Sequence, residues 1–416
     1  MEFSVFGAKF LQKSGILELM DDLGQALGGP EKMLMLGGGN PAHIPEVNAI
    51  WRKQLERILE TEGLMESMLA NYDTPKGNVK FLETLAQFFS THMGWNLTSK
   101  NLAVTAGSQN AFFVLFNLFG GPFSQGRLKK ILFPLAPEYI GYADQALGEG
   151  AFLSHKPRIE LLEEPFFKYF VDFEGLPLKD DIGALCASRP TNPTGNVLTD
   201  EEVEHLSLLA QQKGIPFILD NAYGLPFPSI VFEPMKPLWK PGMVLGMSLS
   251  KLGLPGARTG LVVADEEIIQ ALAGSNAILN LSNGSLGQAL TEPLFTSGAI
   301  LEISSKLIRP YYRKRMEETV AHIRQVFGNR FAFRIHKPQG ALFLWLWFPD
   351  LSIPVSDLYE RLKAHRLLVV PGHYFFFGMD EPWDHGQKCL RITYSQKGED
   401  VLKGIEILAD EVERWS

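Results

Sequence analysis

The chain has 416 residues, enough for two or three folding units at roughly 150 residues each. Its 45% hydrophobic and 21% charged residues are ordinary for a soluble globular protein. A net charge of −8, with Lys and Arg scattered, argues against a nucleic-acid partner.

In chain order, the opening MEFSVFGAKF carries Glu2 and Lys9 and lacks an uninterrupted apolar core, so it is not expected to be a secretory signal. Residues 1–45, rich in Gly and Pro, are expected to pack against a C-terminal domain. Residues 46–60 place Val47, Ile50, Trp51, Leu55, Ile58 and Leu59 at helical spacing. From 101 to 265 short apolar runs alternate with helical patterns. The expected strands are Leu102–Thr105, Lys130–Phe133, Ala184–Ser188, Pro216–Leu219, Met243–Met247 and Leu261–Ala264. Helix Asp200–Lys213 is expected to open on Thr199 as N-cap, with Glu202 three residues on. Such alternation predicts an α/β domain over 46–300 with a mostly parallel sheet covered on both faces.

A long amphipathic stretch, 299–327, then leads into a smaller α+β domain over 301–416. Strands are expected within 331–348, 367–370 and 389–395, and a closing helix over 399–415. Val401, Leu402, Ile405, Leu408 and Val412 would line one face of that helix. The apolar stretches Ala111–Phe119 and Ala341–Phe348 are about half the roughly 20 residues of a membrane helix. They predict a buried helix, a buried strand and no membrane partner. Cys186 and Cys389 sit in apolar contexts and predict buried free thiols, hence a cytoplasmic setting. No His or Cys spacing suggests a metal site.

The chemistry concentrates in 186–260, which holds SRPTNPTG (188–195), ILDNAYG (218–224) and MSLSKLGLPGARTG (247–260). All three follow expected strands, where ligands bind in open α/β sheets. Ser248, Ser250 and Arg258 bracket Lys251 with hydroxyls and a guanidinium, a grouping suited to a phosphate dianion. Upstream, Gly107, Ser108 and Gln109 open the helix after strand 102–105, a second phosphate contact through free backbone N–H groups.

The set N-P-T-G, D-x-A-Y and S-x-S-K, with Arg258 seven residues after the lysine, resembles the fold type I pyridoxal-phosphate (PLP) aminotransferases. The resemblance extends over nearly the whole chain, from Gly39-Asn40-Pro41 to the C-L-R-I-T-Y segment at 389–394. It implies that Lys251 attaches PLP as a Schiff base and then shuttles a proton at the substrate α-carbon. Asp220 would pair with the pyridine nitrogen, Tyr223 and Asn192 with the ring hydroxyl, and Tyr139 would stack on the ring.

Arg391 would hold the substrate carboxylate, with Gly39 and Asn192 beside it, a structural salt bridge being the competing reading. Tyr72 would reach the phosphate of a neighbouring subunit, making the unit a homodimer with shared active sites, unless it belongs only to a surface loop. The implied reaction is a ping-pong transfer between an amino acid and a 2-oxo acid, with valine and pyruvate the expected pair. Gly15-Ile16-Leu17 and His373–Phe377 are expected to cover the pocket, which favours a neutral side chain. The aromatic run is equally readable as core packing. PLP-dependent β-lyases share these motifs, as do the aminotransferase-like sensor domains of some bacterial regulators, though those carry a basic module ahead of the fold.

Overall fold

Among the described residues two large sheets and one two-stranded sheet share the core, and the strands of the largest are apolar on both faces. The computed structural model describes residues 1–11, 15–28 and 33–416, so part of the Gly/Pro-rich N-terminal segment lies outside the described residues. The larger sheet has eight strands, running Leu102–Thr105, Gly260–Val263, Met243–Ser248, Phe217–Asp220, Ile182–Ser188, Leu128–Phe133 and Gly121–Pro122, with Phe152–Ser154 also on Leu128–Phe133. Gly260–Val263 is antiparallel to both neighbours, Gly121–Pro122 is antiparallel to its partner, and the other pairings are parallel.

Side chains alternate along each strand. Ala184, Cys186, Ile218, Val244 and Val262 join one apolar cluster with helix Ser108–Phe119. Leu185, Ala187, Phe217, Leu219, Leu245 and Met247 join the other. Burial on both faces is what makes such strands read as near-continuous apolar runs.

The expected strands lie where the structure places them, within two residues at each end. Strands Phe152–Ser154, Arg158–Leu161 and Phe166–Phe170 were not anticipated. The last two belong to the second sheet, ordered Val370–Pro371, Cys389–Thr393, Phe343–Trp347, Arg334–His336, Phe166–Phe170 and Arg158–Leu161. A contiguous stretch 46–300 therefore lends 158–170 to the sheet of the C-terminal part. Strand Leu34–Met35 of the N-terminal segment pairs with Leu367–Leu368. Helix Gly15–Gly28 is tied to the same part by Glu18 to Tyr374 and by Asp22 to Tyr359 and Lys363.

The three helical stretches form where the spacing predicts them, with differences in which faces are packed. In Pro45–Glu60, Val47, Trp51 and Ile58 are buried, but Leu55 and Leu59 are exposed. In Gly398–Glu413, Leu402 is also exposed, and Gly404 lies on the packed face against Leu36 and Leu367. The amphipathic stretch 299–327 is broken into Ala299–Glu302, a π-helical turn at Ile303–Ile308 and Arg309–Phe327. Spacing alone does not tell a face turned to the core from one turned outward.

Thr199 caps Asp200–Lys213 as expected. Its hydroxyl accepts from Glu202 N at 3.1 Å, and Glu202 accepts from Thr199 N at 2.9 Å. Thr199→Ala should cost about 1 kcal/mol. A urea titration should show a lowered midpoint for Ala and a near-native one for Thr199→Ser.

Candidate active site

The carboxyl ends of the parallel strands open into a cavity of about 620 Å³, which residues of the N-terminal segment and of the C-terminal sheet also line. Register builds its floor: Ser188 pairs with Asp220, Asp220 with Gly246, Ser248 with Gly260, and Gly260 with Thr105. The three motif segments, separate in the chain, thus end side by side, as open α/β sheets require.

Lys251 stands on the short helical turn Ser250–Leu252. Its Nζ donates to Gly39 O at 2.8 Å and lies 5.2 Å from the ring centre of Tyr223. Burial, reinforced by Arg391 and Arg258 and opposed by Asp220, pushes its pKa down to about 8. An amine so poised is available as a nucleophile and proton carrier near neutral pH.

Asp220, ending strand Phe217–Asp220, accepts from the Tyr142 hydroxyl and from Ala222 N at 2.9 Å. Burial raises its carboxyl above the usual range, while Tyr142, Ala222 N–H and Lys251 hold it down. A carboxylate fixed by two donors beside a buried amine suits a cationic ring nitrogen. Tyr142 was not anticipated; three residues after Tyr139 in EYIGYAD, it reads as another core aromatic. Glu138 was also missed as a site residue. It is 2% exposed, and its carboxyl group accepts from Ser188 N at 2.8 Å and lies 2.6 Å from Ser188 Oγ. The available signal was an acid wedged between Pro137 and the aromatic Tyr139.

Gly107 is the N-cap of helix Ser108–Phe119, with φ of 89°. A Cβ there would stand 2.4 Å from Arg258 Nη2, so glycine is what lets the guanidinium reach the helix N-terminus. Arg258 itself adopts a left-handed conformation, φ 45°, a strained backbone of the sort found at functional sites. Ser108, Ser248 and Ser250 line the cavity alongside it. The result is a cluster of N–H, hydroxyl and guanidinium donors at one end of the cavity. Gln109 lines the cavity too, but its amide nitrogen is spent on Gly141 O at 2.8 Å.

At the opposite wall Arg391, 2% exposed, donates from Nη1 to Asn192 Oδ1 at 2.7 Å and from Nη2 to Gly37 O at 2.6 Å. It lies over Phe343 at 4.2 Å from the ring centre. Burial lowers its pKa to about 10. No carboxylate forms an ion pair with it among the described residues, and its Nε is buried without a partner. A buried guanidinium lacking a counter-anion is a built receptor for a carboxylate.

Ile16, Gly39, Tyr139, Asn192 and Tyr223 also line the cavity. Tyr72 does not: it is 81% exposed, on the loop ahead of helix Val79–Met93. The His373–Phe377 run is corrected, since none of it lines the cavity. Phe375 packs on Trp345, Phe376 on Trp345 and Trp383, and Phe377 on Phe133 and Phe152. Of the other covering segment Ile16 reaches the cavity, whereas Leu17 is exposed. The apolar wall comes instead from Ile16, Leu19, Met20, Met35 and Ile140. Cys186 and Cys389 are free and buried. Among the described residues no cluster could hold a metal ion, and no helix is long and apolar enough to cross a membrane.

The family model described as aminotransferase class I and II matches residues 31–408. The chain is 50% identical to the valine–pyruvate aminotransferase of Escherichia coli (strain K12), over 100% of this chain and 99% of that one. A crystal structure of valine-pyruvate aminotransferase from Salmonella typhimurium LT2 superposes with a TM-score of 0.89 at 47% identity, covering 96% of this chain and 99% of that one. That of a putative amino-acid aminotransferase from Psychrobacter arcticum 273-4 gives 0.97 at 45%, covering 100% and 99%.

Gly107→Ala should displace Arg258 from the helix N-terminus. With a charge-assisted contact worth about 2 kcal/mol, affinity for a phosphate-bearing ligand should fall more than about tenfold. Fluorescence titration of the apoprotein with PLP would measure the loss.

Proposed function

The chain belongs to the class I and II aminotransferase family, which is PLP-dependent, and from that premise we propose that it transfers the amino group of L-valine to pyruvate, giving 2-oxoisovalerate and L-alanine. The observation that carries this reading is the full-length identity with the Escherichia coli enzyme. The cavity supports it, because among the described residues its apolar wall of Ile16, Leu19, Met20, Met35 and Ile140 carries no cation for an acidic side chain.

The residues fit the cofactor. Gly107, the Ser108 N-terminus, Ser248, Ser250 and Arg258 suit its phosphate, Asp220 its ring nitrogen, and Tyr223 and Asn192 its ring hydroxyl, with Tyr139 beside the ring. Bound PLP supplies an aldehyde that takes up and releases the amino group, and a ring that draws electrons from the α-carbon. Lys251 Nζ anchors the cofactor and, once freed, moves the proton at the substrate α-carbon; its lowered pKa lets it both give and take that proton. Asp220, steadied by Tyr142 and Ala222 N–H, holds the proton on the ring nitrogen. Arg391 orients the carboxylate against Asn192. Ile16, Leu19 and Met20 shelter the side chain from water. One cavity serves both substrates in turn, so the first 2-oxo acid leaves before the second enters.

The same reading makes 46–300 the large domain, lending 158–170 to a small domain of 301–416, with 1–45 packed on the latter. It also makes the working unit a homodimer, with Tyr72 completing the partner's phosphate site. Exposed apolar residues support this: Leu55 and Leu59 on helix Pro45–Glu60, Leu69 on the adjoining helix Leu64–Ala70, and Ile278, Leu279 and Leu281 at the end of helix Glu266–Leu279. Exposed apolar surface in excess of single scattered residues is what an interface would cover. A cytoplasmic setting fits the two buried free thiols.

Holoenzyme mixed with L-valine alone should lose the absorbance of the aldehyde form of the cofactor, and pyruvate should restore it. Inert valine with conversion by another amino acid would remove the named substrate; no conversion by any amino acid would remove transamination. Lys251→Ala should leave the circular dichroism unchanged and abolish borohydride-stable cofactor attachment. For the dimer, Leu59→Asp with Ile278→Asp should sediment as a monomer and lose activity, whereas an unchanged dimer would sink that interface.

A further inference from the structure

Glu138 is a buried acid to which the scheme above assigns no task. It does not line the cavity, yet Tyr139, Ser188 and Asp220 around it all do. Its Oε1 accepts from Ser188 N at 2.8 Å, and its Oε2 faces Ser188 Oγ at 2.6 Å and Tyr139 N at 3.3 Å. No Lys, Arg or His forms an ion pair with it among the described residues. The charged group acting on it is another acid, Asp220, whose strand pairs Asp220 with Ser188.

We propose that Glu138 is a positioning residue for the transfer reaction: it keeps a proton behind the cavity wall, so that Asp220 alone carries negative charge at the ring nitrogen and the Ser188 hydroxyl hydrogen is free to face the cavity.

Two neighbouring buried acids do not readily both ionise. Their surroundings decide which keeps the proton. Asp220 has the Tyr142 hydroxyl and Ala222 N–H, with Lys251 nearby before it anchors the cofactor and the ring nitrogen it would face afterwards, all favouring its charged form. Glu138 has only neutral donors and full burial, which pushes its carboxyl up to about 8. The other titratable groups facing it are Tyr139, Tyr142 on the turn Ile140–Tyr142, and Cys186 on strand Ile182–Ser188. Burial raises all three, which holds them neutral.

The hydroxyl of Ser188 then has two settings. With Glu138 ionised, Ser188 O–H donates to Oε2 and presents only lone pairs to the cavity. With Glu138 protonated, Oε2–H donates to Ser188 Oγ, and the serine hydrogen turns to the cavity. Loss of the Glu138 proton above about pH 8 therefore reverses a donor in the cofactor wall and places a second negative charge beside Asp220.

The inference rests on the aminotransferase reading, but its test is separate. Infrared spectra of wild-type and Glu138→Gln holoenzyme would be recorded across pH. The wild type should show a protonated-carboxyl C=O stretch that disappears as pH rises through about 8, and the variant should lack it. A wild type without that band at neutral pH, or a band that persists in the variant, overturns the proposal. In single-turnover half-reactions, the variant-to-wild-type rate ratio should rise at least about threefold between about pH 7 and about pH 9. The ratio cancels titrations common to both proteins, Lys251 included. A constant ratio overturns the coupling, while failure of valine itself counts against the substrate alone, the half-reaction then being run with whichever amino acid converts. Should Glu138→Gln not fold, Glu138→Asp, one methylene shorter, must shift the midpoint of the band; an unmoved midpoint overturns the assignment.

Discussion

Holding Lys251 and Asp220 half-buried, and Arg391 and Glu138 buried, around one cavity is the constraint that the rest of the site answers to. Isolated charges are expensive away from water, so each group must find a partner, shift its pKa or surrender its charge. Lys251 shifts down toward neutrality, partly because Arg391 and Arg258 stand near it. Arg391 keeps its charge against burial, with Asn192 and Gly37 O as its acceptors and Nε unpaired. Asp220 is pinned by Tyr142 and Ala222 N–H. The imbalances that remain, an amine ready to lose a proton and a guanidinium without a counter-anion, are the features an amino acid would meet.

Backbone geometry makes these imbalances affordable. The parallel strands bring Ser188, Asp220 and Ser248 to one edge, so short turns after them deliver Asn192, Tyr223 and Lys251 to the same space. The glycine loop 37–39 ties the two cations together through its carbonyls, Gly37 O to Arg391 and Gly39 O to Lys251. Helix Gly15–Gly28 is held to the C-terminal part through Tyr374, Tyr359 and Lys363, which sets Ile16, Leu19 and Met20 as a wall of the cavity. The site therefore draws on the beginning, middle and end of the chain.

The aromatic run 373–377 shows how such convergence misleads a linear reading. Its aromatic character is compatible with a pocket cover or with core packing, and the structure decides for packing: Phe375, Phe376 and Phe377 lie against Trp345, Trp383 and Phe133. Phe375 still bears on the site indirectly, its ring centre 5.3 Å from the Arg391 guanidinium. Much of the cavity's apolar wall comes from a helix whose sequence, GILELMDDLG, carries no catalytic signature.

Much of this protein was legible without a fold. The alternation of apolar runs and helices, the Thr199 cap and the motif residues follow from local rules: period, capping and the placement of ligand loops after strands. These depend on neighbours in sequence, and the strands lie within two residues of their expected ends. The pairing of 158–170 with the C-terminal sheet, the outward turn of Leu55, Leu59 and Leu402, the Tyr142–Asp220 contact and the Glu138–Ser188 clamp were decided only by the tertiary structure. Each depends on which distant surface a side chain meets. An amphipathic pattern or a lone acid fixes what a residue can do, whereas burial and partners, set by chain segments tens to hundreds of residues away, fix what it does.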